Sequence, residues 1–291
     1  MHVTSSDLFV AYNAAFANGQ LNRANLVYDQ VSTEIRSTTS MEQYDWLTGI
    51  PFPREWKGAR VVKGFSTRKY TITNRDFELS IGIDRNVLRD QTLDHMTRIP
   101  SFQEMGRKFM VQREKDVMNV YATGTTAAQT CYDGQPLFSG AHPRKSGSSF
   151  SNDDSTGAEA PIFFLAMDNF IKPVIHQIRQ EPNFEEDRSQ EFNTRQIVYG
   201  ADDRRETAPG LWESAYRSNS AFSEALIDTV QEAASLWEDD EGEKLGVQFT
   251  HVLCPTSRMG EVMNVLNRQL INGGESNRSF GRLTPIFSPY L

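Results

Sequence analysis

Cysteine is almost missing from this chain: Cys131 and Cys254 are the only two in 291 residues. Two lone thiols without a readable secretion signal are expected to be reduced, buried residues, not a disulfide. The stretch from Met1 to Gly19 carries Asp7 and lacks both a basic n-region and an apolar h-region, so no signal peptide is expected. Long hydrophobic runs are missing too. Pro161–Met167 falls far short of the roughly 20 apolar residues that cross a bilayer, and no membrane association is expected.

Histidine is sparse, and His2, His95, His142, His176 and His251 are scattered without metal-ligand spacing. The Gly-x-Ser-x-Gly elbow, the Gly-x-Gly-x-x-Gly turn, the Gly-Lys-Ser/Thr phosphate loop and the His-Glu-x-x-His pair are absent from the sequence. His142 follows Asp133-Gly134-Gln135 closely and is the one histidine worth weighing as a general base. Nothing in the sequence specifies its partner, so it reads as a structural residue in a turn. No catalytic residue, cofactor or metal is expected, and the chain does not read as an enzyme.

Positive charge is the scarcer sign. Thirty Lys and Arg against 38 Asp and Glu give a net charge of −8, which argues against a broad nucleic-acid-binding face. The basic residues are not evenly spread: Arg54, Lys57, Arg60, Lys63, Arg68, Lys69, Arg75 and Arg85 form a block. That block is either an edge strand guarded by charge or a projecting loop that lies on the acidic surface of another copy. A hydrophobic share of 38% suffices for a packed core, and a chain this long buries roughly 75% of its unfolded surface, near the size where cores split. Two subdomains in one body are expected.

Along the chain, Leu8, Phe9, Tyr12, Ala15 and Phe16 fall at helical spacing after Ser5 or Ser6 as cap, with Gly19 as a stop. The polar stretch to Thr39 makes this look like an arm that needs something outside itself to lie on. Phe77, Leu79, Ile81 and Ile83 alternate with polar residues as a half-buried strand. Arg60–Phe65 and Arg68–Ile72 are further strand-like runs, and Thr73–Asp76 is a turn. Ser101–Glu104 is a capping box after Pro100, opening a helix of roughly 34 Å to Thr123 at 1.5 Å per residue. Arg113 and Glu114 interrupt its apolar stripe. Ser146–Gly157 reads as a mobile surface loop. Ile162–Leu165, Pro173–Ile178 and Arg195–Tyr199 read as strands, the Pro173 segment at an edge. Asp202–Arg205 reads as an exposed ion-pair turn, and Glu238–Glu243 as a solvated helix end. A second helical stripe, Phe222 to Trp237, precedes a strand at Val247–Cys254, a helix at Ser257–Leu270 and a last strand at Leu283–Phe287.

Taken in order, the motifs resemble the major head subunit of Mu-like phages, the gpT family. The resemblance is carried by Ser37-Thr38-Thr39, Tyr44-Asp45-Trp46-Leu47, Arg54-Glu55-Trp56, Gly58-x-Arg60, Tyr70–Asn74, Phe77-Glu78 and Arg85. It continues through Glu104-Met105-Gly106, Cys131–Gln135 with His142-Pro143, Ile171–Pro173, Tyr199-Gly200-Ala201, Arg204-Arg205, Gly210-x-Trp212, Lys244-Leu245 and the closing Pro289-Tyr290-Leu291. It runs nearly end to end.

The resemblance implies an α+β fold of the Hong Kong 97 type. It places an N-terminal arm at 1–39, a connecting segment at 40–57, an E-loop hairpin at 58–85, a P-domain at 86–218 with a spine helix at 101–123, and an A-domain at 219–291. It implies contacts between subunits at Arg60, Lys63, Arg68, Lys69, Tyr70, Asn74 and Arg75. Structural motif roles fall to Trp46, Arg54, Trp56, Phe77, Glu78, Arg85, Asp133, Gly134, His142 and Trp212. The expected partners are copies of the chain as hexamers and pentamers, a separate scaffolding protein, a portal, a decoration protein and packaged double-stranded DNA held non-specifically. The expected location is the virion, after assembly in the host cytoplasm. A shell of the same fold with another use, an encapsulin-type nanocompartment or a gene transfer agent, is the alternative.

Overall fold

The computed structural model describes residues 5–48, 66–90, 94–143, 147, 149–189, 191–238, 242–271 and 274–291. In chain order the first elements are α1 (Ser5–Leu21), α2 (Tyr28–Val31), β1 (Ser32–Arg36), β2 (Met41–Thr48), β3 (Ser66–Thr73), β4 (Arg75–Asp84), α3 (Arg85–Asp90) and α4 (Asp94–Ala122). Short strands β5 (His142–Pro143), β6 (Ser149–Phe150) and β7 (Asp153–Asp154) lead to β8 (Ile162–Leu165), β9 (Val174–Asp187), α5 (Glu191–Thr194) and β10 (Gln196–Pro209). The chain closes with β11 (Ala215–Ser218), α6 (Glu224–Ser235), β12 (His251–Pro255), α7 (Met259–Leu266), β13 (Leu270–Ile271), β14 (Glu275–Ser276) and β15 (Thr284–Ser288).

Two larger sheets organise these elements. One is four-stranded in the order β1-β9-β10-β4, and the other five-stranded in the order β15-β12-β8-β11-β7. β1 joins β9 in parallel, whereas β10 is antiparallel to both β9 and β4. The alternation read in β4 is the observed one: Ile83 is buried, Phe77, Leu79 and Ile81 are half-buried, and the residues between them are mostly exposed. The four-stranded sheet packs on α4, and β10 sets the chemistry of that contact. Its inward row reads Ile197, Tyr199, Ala201, Asp203, Arg205, all buried. Period-two geometry puts the two charged residues on the same face as the three apolar ones. Asp202–Arg205 is therefore not an exposed turn; half of it is core.

Buried charge must be paired. Arg205 donates to Asp203 at 2.9 and 3.1 Å and to Asp116 of α4 at 2.9 Å, and its guanidinium lies 3.8 Å from the centre of the Phe77 ring. Arg113, also fully buried, reaches Glu181 at 2.6 Å and Asp203 at 3.6 Å. The interruption in the helix stripe and the charges in the strand are thus two halves of one network.

Several sequence expectations are corrected here. The spine helix starts at Asp94 and carries Pro100 inside it; as the seventh residue, Pro100 lies past the first turn and removes one i→i−4 hydrogen bond. Gly19 lies within α1 and does not stop it. The arm does not wait for an outside surface: Leu8, Tyr12, Ala15 and Phe16 are buried in the subunit's own core, with Tyr12 stacked on Phe102 of α4 at 4.2 Å. The E-loop pairing also differs. β3 pairs with β2, from Met41↔Thr73 to Thr48↔Ser66, while β4 joins the main sheet; Arg60–Phe65 lies outside the described residues.

Pro173 precedes β9, and β9 is an interior strand. The ladder begins at Val174, so the missing proline N–H costs nothing. β8 does not return to the spine sheet: Ile162–Leu165 pairs with β11 and β12. Residues expected in the P-domain therefore share a sheet with β12 and β15, and the continuous apolar run of β8 fits a strand covered on both faces. The 146–157 segment is likewise held down in part. Asn152 is fully buried and Asp153–Asp154 forms β7 beside β11.

Candidate functional site

Three of the expected motif residues, Asp133, His142 and Trp212, come together with Asn152. A tight turn, with Gly134 at φ 85°, places Asp133 so that its Oδ1 accepts from the Gln135 N–H at 3.0 Å. Its Oδ2 lies 2.7 Å from His142 Nδ1, with both side chains buried. His142 Nε2 lies 3.1 Å from Asn152 Oδ1. The orientation of Asn152 is set by its other end, whose Nδ2 donates to the carbonyls of Leu137, Trp212 and Ala215 at 2.8, 3.3 and 3.2 Å. The imidazole lies flat on Trp212, centroids 4.0 Å apart and planes at 5°, and Trp212 packs edge-on against Trp237. Both ring nitrogens thus face acceptors, and the ring is covered on its Trp212 face. The cluster ties Asp133, Leu137, His142 and Asn152 to Trp212 and to the start of β11, and a fully buried His142 has no access to an outside substrate.

Next to it, Tyr132 donates to Glu213. Burial pushes the Glu213 carboxyl above the ordinary range, outweighing the lowering effect of that hydrogen bond. Cys131 and Cys254 are free and buried, and burial first, with nearby carboxylates adding to it, pushes the Cys131 thiol well up. These thiols are inert core residues. Among the described residues no group of His, Cys, Asp and Glu is arranged to hold a metal ion, and no helix is long and apolar enough to cross a membrane.

The expected contact residues separate into three groups. Arg60 and Lys63 lie outside the described residues, as do Arg54 and Trp56 of the motif set. Arg68 and Trp46 are paired opposite each other in the β2–β3 ladder; their side chains lie outside the described residues. Lys69 is exposed and Tyr70 half-buried, with burial as the main cause raising the Tyr70 phenol. Asn74 is corrected: it is buried, donating to Ser37 Oγ at 3.0 Å and the Thr39 carbonyl at 2.9 Å and accepting from Gln177 at 2.8 Å. It pins the hairpin base inside the subunit. Arg75 is engaged by its own subunit's Glu206, at 2.7 Å through Nη2. Of the other motif residues, Glu78 is exposed and accepts from Ser80 Oγ at 3.0 Å. The Arg85 N–H donates to the Arg195 carbonyl at 2.7 Å.

Sequence reasoning noted Glu114 only as an interruption of the helix stripe and missed what it holds. Fully buried midway along α4, its Oε2 accepts from the N–H groups of Val27 and Tyr28 at 2.8 and 2.7 Å, and its Oε1 from Ser288 Oγ at 2.7 Å. One carboxylate thus ties the N-terminal segment and the last strand to the spine. A charged residue in the middle of an apolar stripe was the available signal.

A long spine helix under one sheet, a second sheet built from the chain's later half, and a hairpin lifted from the body define an α+β capsid fold of the Hong Kong 97 type. The procapsid protein of bacteriophage JBD30 superposes with a TM-score of 0.80 at 28% identity, over 98% of each chain. The JBD30 capsid gives 0.79 at 24% identity over 90% of each, a likeness of fold. The chain belongs to the Mu-like prophage major head subunit gpT family, whose model matches residues 6–291. It is 29% identical to the major capsid protein of Escherichia phage Mu, over 94% of this chain and 93% of that one. It is 28% identical to the Mu-like prophage FluMu major head subunit of Haemophilus influenzae strain KW20 Rd, over 90% and 88%. The molecule is a major head subunit, a component of the virion.

Proposed function

We propose that this head subunit assembles with copies of itself, as hexamers and pentamers, into an icosahedral shell that encloses double-stranded DNA. The family match over almost the whole chain carries this reading. The net charge of −8 suits containment of DNA better than tight binding. Assembly takes place in the host cytoplasm, with a separate scaffolding protein and a portal. A decoration protein joins the outside; the JBD30 capsid is known decorated with minor capsid protein trimers. The role of the subunit is structural, not enzymatic.

Within the shell, Arg60, Lys63, Arg68 and Lys69 of the E-loop meet the acidic surface of a neighbouring subunit. Concentrating basic charge in one projecting segment of an acidic chain favours complementary docking between copies. Replacing these four residues together by Glu tests it. The expected outcome is a subunit with unchanged thermal unfolding that forms no particles. Normal particles would overturn the assignment.

A further inference from the structure

A cleft of about 570 Å³ opens where the β2–β3 hairpin lifts away from the main sheet. Tyr70–Thr73 of β3 form one wall and Glu206–Pro209 of β10 the other, over a floor of Asp116, Asn119 and Val120 from α4. The two walls differ in their backbone chemistry.

The Asn74 N–H donates to the Ser40 carbonyl at 3.0 Å, one step beyond the Met41↔Thr73 pair. Alternation along an antiparallel ladder then turns the N–H and C=O groups of Ile72 and Tyr70 towards β2. Those of Thr71 and Thr73 face the opposite edge, where no described residue pairs with them. The β10 wall is closed. β4 leaves it at Arg205↔Arg75, the Thr207 N–H is met by the Glu206 carboxylate at 3.0 Å, and Pro209 has no N–H.

Native edge strands are commonly blunted by Lys, Pro or a bulge. The β10 edge is blunted in this way; the β3 edge has Lys69 at its far end, but from Thr71 to Thr73 it carries two exposed threonines, which favour strand pairing. The ionic groups of the cleft are already satisfied. Asp116 holds Arg205 and Gln112, and Glu206 holds Arg75. What the cleft offers is a row of backbone donors and acceptors, threonine hydroxyls and aliphatic surface. That is the chemistry of an extended, uncharged peptide and not of an anion or a nucleotide.

We propose that the Thr71–Thr73 edge of β3 is a strand-addition site occupied by an extended, uncharged segment of a second copy of this chain. The proposal rests on the shell reading above, in which the neighbours around a subunit are copies of it, and the site continues the hairpin through which that reading joins subunits. Main-chain pairing of this kind supplies affinity without demanding a particular side chain, which suits a contact repeated around non-identical positions of a shell.

Hydrogen exchange resolved to single amides, on the free subunit and on particles, tests it. In the free subunit, Thr71 and Thr73 exchange fast while Ile72 and Tyr70 are protected. In particles of this chain alone, Thr71 and Thr73 slow on the order of tenfold or more. Protection already present in the free subunit, or appearing only when a scaffolding or decoration protein is added, would overturn a second copy as the occupant. Particles in which both amides stay fast would overturn the site. Failure to form particles at all would overturn the shell reading, and this proposal with it. Thr71→Val should assemble, whereas Thr71→Pro, which removes an N–H that β2 does not use, should fold and fail to assemble. Normal assembly of Thr71→Pro would also overturn the site.

Discussion

Gly19 of α1 and Gly106 of α4 are reciprocal points of close approach across the α1–α4 seam, each set against the backbone of the facing helix. A Cβ on Gly19 would sit 1.9 Å from the Gln103 carbonyl oxygen, and one on Gly106 would sit 2.1 Å from that of Phe16. Both clashes are with backbone, so neither can be relieved by a side-chain rotation. An alanine gains about 1 kcal/mol of helix propensity over glycine, but overpacking costs about 1–3 kcal/mol and wins here. Gly106→Ala should therefore lower the unfolding midpoint and speed trypsin cleavage after Arg23, measured on the purified subunit. An unchanged midpoint would mean that α1 does not lie on the spine.

Glu114 should behave asymmetrically on substitution. Glu114→Ala strands two backbone N–H groups and the Ser288 hydroxyl, at a cost of about 3 kcal/mol. Glu114→Gln keeps an acceptor for Val27 and Tyr28 and should cost about 1 kcal/mol. Denaturant unfolding of the two variants checks the ratio.

His142→Ala should be among the most damaging changes away from the seam. It leaves the Asp133 carboxylate buried without its partner and removes the ring stacked on Trp212. Leaving a buried acceptor without its donor costs about 1–3 kcal/mol, and the lost ring packing adds to it. The check is the denaturation midpoint together with tryptophan fluorescence, which should report the loosened ring stack.

Acid should weaken the fold through His176. This residue is fully buried against Thr207, with Nδ1 2.9 Å from Oγ1. Burial first, then the positive charges of Arg113, Arg205 and Arg36, push its imidazolium pKa down to about 3. The unfolded chain takes up this proton near pH 6.5 and the folded one does not. Its contribution is therefore intact above about pH 6.5 and is lost as pH falls towards 3, with a slope of up to about 1.4 kcal/mol per pH unit. His176→Asn should flatten that limb of the stability profile; an unchanged slope would mean the ring is not held neutral.

The sequence reading was strongest where one periodicity decided the outcome. The β4 alternation, the stripe of α6 and the apolar face of α1 were legible because burial in each follows from spacing alone. The family motifs also led to Asp133, His142 and Trp212, which the fold brings into one cluster. What escaped were the features made by two distant segments at once. Arg113 looks like an interruption until Asp203 is found facing it. Gly19 looks like a stop until Gln103 is found against it. Asn152 looks like loop until three carbonyls are found around its amide. β3 chose β2 over β4 because pairing partners depend on where the chain returns, and alternation within one strand carries no such information.

The central claim is that this chain closes a shell from copies of itself, and electron microscopy of the purified chain, alone and with a co-expressed scaffolding protein, tests it most directly. The account predicts closed shells, or tubes and capsomers of one subunit type. A monodisperse small oligomer under both conditions would contradict it.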